Sequence, residues 1–107
     1  MELIDPFGWH KLDSDKIRAI REKLGHFESM TWNEILIAGK KRNHSVSTAK
    51  LCAQAQKRLR EIGQNDLEEL VSLRLSGPER VWGILRGGVL TVLWWDPEHK
   101  VCPSLPL

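Results

Sequence analysis

One histidine and a set of arginines pose the chemical question. His99 lies in Asp96-Pro97-Glu98-His99-Lys100, a turn signal just past a strand-like run, and loops beside a rigid sheet are where catalytic groups are often presented. An imidazole titrating near its ordinary value suits general acid or base work at neutral pH. Arg74, Arg80 and Arg86 share the stretch 73–101 with Trp82, Trp94 and Trp95. Guanidinium groups offer a bidentate fork to phosphate, and indole rings stack on bases. RNA scission by its own 2′-hydroxyl needs a proton acceptor, a proton donor and cations on the phosphate. His99, Arg80 and Lys100 make up a candidate catalytic set of that kind, with Asp96 in support. Arg74, Arg86, Trp82 and Trp95 would hold the RNA. Lys40, Lys41, Arg42 and His44, in the basic run KKRNH at 40–44, are further candidates for touching a phosphate backbone, Lys41 and Arg42 first among them. Each feature also has a plainer reading: Asp96 capping a Pro-containing turn with His99 solvated, and 40–44 as a solvated linker.

Other chemistries find little support. Asp96, Glu98, His99 and Cys102 match no zinc spacing, so neither a metal nor an organic cofactor is expected. There is no P-loop, no G-x-G-x-x-G and no G-x-S-x-G. His10 and His26 carry no local pattern, and Cys52 reads as a small core residue on a helix stripe.

Composition is that of an ordinary soluble globule: 107 residues, 41% hydrophobic and 28% charged. That length fits one domain over 1–107, with a core that needs no staples. The N-terminus shows no secretory signal and no apolar run approaches a membrane span. With only Cys52 and Cys102, reduced thiols in a cytoplasm are expected. A net charge of +2 is too small to demand a polyanion, but the basic residues are locally concentrated.

Helical signals fill 1–63. Ile17, Ile20 and Leu24 are spaced for one face of a helix that Gly25 would stop. Thr31 and Glu34 form a capping box before Ile35 and Leu36, with Gly39 as closure. Ser47 or Thr48 would cap a third helix running to Ile62, and Asn65 with Glu68 suggests one more helical turn. From about 70 to 101 the period becomes two. Val71, Leu73 and Leu75 alternate with polar residues, Gly77-Pro78 breaks the run, and Gly87-Gly88 joins 80–86 to 89–95 as a tight hairpin. That loop places Arg86 opposite Val89, Ile84 opposite Thr91, Trp82 opposite Leu93 and Arg80 opposite Trp95. Val81, Leu85, Leu90, Val92 and Trp94 then form a face packed on helices. Arg80, Trp82, Ile84, Arg86, Thr91, Leu93 and Trp95 form the other. For β-strand 71–75 to join the apolar face, the first turn needs an odd loop or a bulge, because a one-residue slip swaps faces. The fold class is therefore α+β: N-terminal helices on one face of a three-stranded antiparallel meander. The second face is either a nucleic-acid surface, a protein interface, or a second core covered by the segment with Phe7 and Trp9.

The order of helical part, LRLSG, ERVWGIL, short turn and VLTVLWWD resembles the RelE/ParE superfamily of bacterial toxins, over roughly 47–101. The finer pattern RLSG…RVWG…LWWDPxH is similar to that of a group of small uncharacterised bacterial proteins. The toxin resemblance implies helices on a small antiparallel sheet and a metal-independent endoribonuclease acting on mRNA, in some members at the ribosome. It also implies a neutralising antitoxin protein. Arg74, Arg80, Arg86, His99 and Lys100 match the working positions by type and place. The chain departs from the pattern in opening with helical and loop sequence where such toxins begin with a strand. It also contains no tyrosine, so Trp95 or His99 would stand in. A non-enzymatic RNA-binding or protein-interaction module is the alternative on the same fold.

Overall fold

A computed structural model describes residues 14–28, 30–39, 43–64 and 66–104. Helix α1 spans Ser14–Glu28 and a short π-helix spans Glu34–Ala38. Strand β1 (His44–Ser47), a 3-10 turn (Thr48–Lys50) and helix α2 (Ala53–Glu61) follow. Strands β2 (Glu69–Ser76), β3 (Glu79–Arg86) and β4 (Val89–Asp96) complete the regular structure of the described residues. The four strands form one antiparallel sheet in the order β1-β2-β3-β4.

The architecture is α+β, and the strand count and helix placement differ from expectation. The fourth strand is β1, whose four residues contain a single buried apolar side chain, Val46. So short a run carries little periodic signal. The helices also do not share one face. Ile20 of α1 packs with Val81 and Trp95, and Ile35 of the π-helix packs with Val71 and Leu73. On the opposite face Ala55 and Leu59 of α2 pack with Val46, Leu70, Trp82, Ile84, Leu93 and Trp94. Val101 and Cys102, just past β4, close that second core. Phe7 and Trp9, the expected cover, lie outside the described residues.

The face exchange has a local cause. The Gly87-Gly88 loop sets Arg86 opposite Val89 and Ile84 opposite Thr91, as its length requires. Beyond Gly83↔Val92 the register shifts, so that Trp82 meets Trp94, Val81 meets Trp95 and Arg80 meets Asp96. Leu93 is the extra residue, a β-bulge opposite Gly83. Trp94 therefore joins the α2 core and Trp95 the α1 core, the reverse of their expected sides. At Gly83 there is no room for a side chain: a Cβ would lie 2.7 Å from the Thr91 carbonyl oxygen. A second bulge between Arg74 and Ser76 supplies the odd residue anticipated in the first turn.

Helix ends follow local chemistry. The Thr31 capping box forms: Glu34 N–H donates to Thr31 Oγ1 at 3.1 Å, and Thr31 N–H donates to Glu34 Oε1 at 3.1 Å. Gly25 does not stop α1, which continues to Glu28. The long third helix is divided at Leu51-Cys52, where Cys52 N–H donates to Val101 O at 2.7 Å. Ser47 caps only the 3-10 turn. No helical element covers 66–70, because β2 begins at Glu69.

Candidate functional site

The polar end of the α2 face is built by four strands in register. One row runs His44, Ser72, Trp82, Trp94, and the next runs Arg74, Arg80, Asp96. Two arginines thus stand directly opposite on β2 and β3, an arrangement that like-charge repulsion disfavours. Arg74 Nε and Arg80 Nη1 both donate to the carbonyl of Gly77, at 3.1 and 2.7 Å, and Arg80 Nη1 also reaches Glu79 O at 3.2 Å. The β2–β3 turn therefore gathers two guanidinium groups on one oxygen.

Arg80 is 1% exposed, and its Nε is buried without a hydrogen-bond partner. Burial first, then the charge of Arg74, lowers its pKa, while Asp96 opposes them. The Ser72 hydroxyl, one row away, is also fully buried and without a partner. An unmade buried hydrogen bond costs about 1–3 kcal/mol, so this corner holds polar capacity that packing alone leaves unused. His44, the cross-strand partner of Ser72, has its pKa lowered below 6.5 by burial first and by Arg80 second.

Arg74 is the half-buried member of the arginine pair. It lines a groove of about 430 Å³ with Lys23, Phe27, Met30, Asn43 and Leu75. Cations at its margins and apolar side chains along its walls suit a phosphate joined to a flat ring. Asn43 fixes this region. Its Oδ1 accepts from Arg74 N–H at 3.0 Å, and its Nδ2 donates to Ile35 O at 3.2 Å. The π-helix is thereby tied to β2 just ahead of the first residue of β1.

Asp96 organises the turn that carries His99. Its Oδ1 accepts from Lys100 N–H at 2.8 Å, and its Oδ2 accepts from Val101 N–H at 3.0 Å and from Trp82 Nε1 at 3.2 Å. These bonds hold His99 at φ +60°, a left-handed conformation that most side chains avoid. Because Asp96 is opposite Arg80, the turn with His99 and Lys100 begins at the arginine end of the sheet.

The structure thus brings Arg74, Arg80 and the His99-Lys100 turn to one end and separates the remaining candidates from it. Arg86 is exposed at the hairpin end, six residues along β3 from Arg80, roughly 20 Å away at strand rise. Trp82 is 0% exposed in the α2 core and Trp95 4% exposed in the α1 core. Neither indole, so placed, has a free face to stack a base, and Lys16 Nζ already lies 5.1 Å from the Trp95 ring centre. Lys100 is exposed and paired with Glu98 at 2.9 Å, which raises its pKa and keeps it a cation. Lys41 and Arg42 lie outside the described residues. Among the described residues, no group of three or more acidic, His or Cys side chains is arranged for a metal ion, and no helix is long and apolar enough to cross a membrane. In the sequence His44 belongs to the basic run that could touch a phosphate backbone, with no place on the sheet. The alternation of His44-Ser45-Val46-Ser47, which makes β1, is the signal that would have placed it on the sheet.

Comparisons with protein-family models, with curated proteins and with solved structures find no match.

Proposed function

We propose that this protein acts on RNA as a metal-independent endoribonuclease of toxin type, with the Arg74–Arg80 corner as its phosphate receptor. The observation that carries the reading is the opposed arginine pair converging on the Gly77 carbonyl, one member locked and buried, the other half-buried at the lining of an open groove. Arg74 contacts the phosphodiester directly. Arg80, behind it, supplies a fixed positive field that needs no reorganisation as charge develops on phosphorus. His99 and Lys100, on the turn that begins at this end, stand near the leaving group. Trp82 and Trp95 hold the sheet together and contribute nothing to base stacking. A neutralising protein would cover the Arg74 groove.

A protein-interaction module is the second reading. It is favoured by the exposed apolar side chains of Met30, Ile37 and Val89. These belong to the two segments, 30–38 and the β3–β4 hairpin, that Trp32 joins by donating its indole N–H to Gly88 O at 2.9 Å.

The test is induced expression in bacteria of wild type, Arg74→Ala and His99→Ala, with growth and total RNA followed together. Growth arrest with fragmented RNA, abolished by Arg74→Ala, is expected. Intact RNA and normal growth with folded wild-type protein would remove the ribonuclease reading and leave the interaction module. Binding of a labelled single-stranded RNA separates the two directly, because phosphate contacts weaken steeply with salt and apolar docking does not.

A further inference from the structure

We infer that His44, rather than the turn histidine alone, is a catalytic residue of the proposed ribonuclease, accepting the proton of the attacking 2′-hydroxyl. This rests on the ribonuclease reading and adds a residue to it.

Three placements carry the inference. His44 lies on the same sheet face as the arginine pair. It is opposite Ser72, two residues along β2 from Arg74, so the diagonal separation is about 7–8 Å and within reach of long side chains. It is also on the wall of a cavity of about 310 Å³ lined by Ser45, Ser47, Lys50, Cys102 and Ser104. The Lys50 ammonium and the Ser104 hydroxyl are suitable partners for a ribose and its phosphate, while the Ser45 hydroxyl is already bonded to Glu69 Oε2 at 2.6 Å. Finally, two fully buried donors beside it, the Ser72 hydroxyl and Arg80 Nε, have no protein partner. A phosphate oxygen drawn into this corner would satisfy groups that nothing else satisfies.

The titration of the imidazole agrees with that role. Burial, and secondarily Arg80, disfavour its charged form, so at neutral pH it is the neutral base that proton abstraction requires. Among the described residues, the charged and titratable groups around it are Arg80 and Arg74 from the sheet, and Lys50 and Cys102 around the cavity. Asp96 lies one strand beyond Arg80.

In the reaction, a nitrogen of His44 takes the 2′-hydroxyl proton as the 2′-oxygen bonds to phosphorus. The bond from phosphorus to the 5′-oxygen breaks, and that oxygen receives a proton from His99. The products are a 2′,3′-cyclic phosphate and a 5′-hydroxyl, with no water consumed. Arg74 and Arg80 balance the added negative charge on the phosphorane-like transition state.

The experiment uses the full chain and a fluorescent RNA oligonucleotide, with a 2′-deoxy version as the uncleavable binding probe. His44→Gln should lower the cleavage rate by about 10²–10⁴-fold, with affinity for the 2′-deoxy probe unchanged within about threefold. His44→Ala should regain cleavage on addition of imidazole, which a purely structural role does not predict. The wild-type pH–rate profile supplies a readout that needs no variant: its acid limb should rise with unit slope and level off below pH 6.5. Cleavage by His44→Gln at near wild-type rate, a failure of imidazole to rescue, or an acid limb that levels above 6.5 would each overturn the assignment. Failure of wild type to cleave any RNA would instead overturn the ribonuclease reading, and the His44 assignment with it.

Discussion

Arg74 and Arg80 occupy directly opposed positions on β2 and β3 and donate to the same carbonyl oxygen, that of Gly77. Two cations are thus held together by a turn whose own backbone supplies the acceptor. The buried member has an unmade hydrogen bond at Nε, so it is poorly optimised for stability alone.

Arg80→Met follows from this. Replacing buried charged groups by apolar residues of similar volume is often neutral or stabilising. Arg74 still donates to Gly77 O, and repulsion between the pair disappears. Unfolding free energy should stay within about 1 kcal/mol of wild type, while affinity for single-stranded RNA falls at least tenfold and its salt dependence weakens. Arg80→Ala, which leaves a cavity as well, should lose about 2–4 kcal/mol. Denaturant titrations beside RNA-binding isotherms distinguish a stabilising arginine from a functional one.

Asp96 should behave in the opposite way. Its carboxylate accepts from Trp82, Lys100 and Val101, the last two being the backbone of the His99 turn. Asparagine keeps the shape but turns one acceptor into a donor facing N–H groups. The loss of bonds to a buried charge, about 1.5–3 kcal/mol each, should lower stability by about 3 kcal/mol. Thermal unfolding would then fall by roughly 12 °C or more. A change below about 3 °C would contradict the place given to Asp96 at the base of this turn.

What was legible in the sequence followed from local rules. The Gly87-Gly88 loop fixed the hairpin, and Thr31 with Glu34 marked a helix start that forms as a capping box. The alternation in 71–75 marked β2 correctly. What escaped depended on tertiary context. Leu93 bulges because Gly83 opposite it has no side chain, and that slip moves Trp94 and Trp95 to each other's expected faces. Arg80 and Trp82 were placed on a surface because α2 was expected on the other side of the sheet. In the fold α2 covers Trp82. His44 reads in the sequence as part of a basic linker rather than of the sheet, because a four-residue edge strand with one buried side chain carries little periodic signal.

Gly83 tests the bulge directly. An added methyl would lie 2.7 Å from Thr91 O and 2.9 Å from Leu90 Cδ1. The side chain can turn away, but the carbonyl belongs to the β3–β4 ladder and cannot move without breaking it. Gly83→Ala should cost about 1–3 kcal/mol, the usual penalty for overpacking, although alanine is ordinarily the easier residue to order. Equal or greater stability in a chemical unfolding curve would place the strands in a different register.

The acid sensitivity of the fold should depend on His44. Its folded-state pKa is depressed by burial and then by Arg80, whereas in the unfolded chain the imidazole titrates near 6.5. As pH falls through 6.5 the unfolded chain takes up a proton that the folded chain still refuses, so stability declines. The decline ends once pH passes below the folded pKa. His44→Gln removes this proton difference and leaves the carboxylates and the other histidines in place. Stability curves of the two proteins should therefore run parallel above pH 7. Between pH 6.5 and 5 wild type should lose stability that His44→Gln retains. Urea unfolding at half-unit pH intervals measures the gap between the curves. A gap of the opposite sign would mean that protonation of His44 is favoured by folding, and the imidazole would then be a cation facing an acid rather than a base facing a guanidinium.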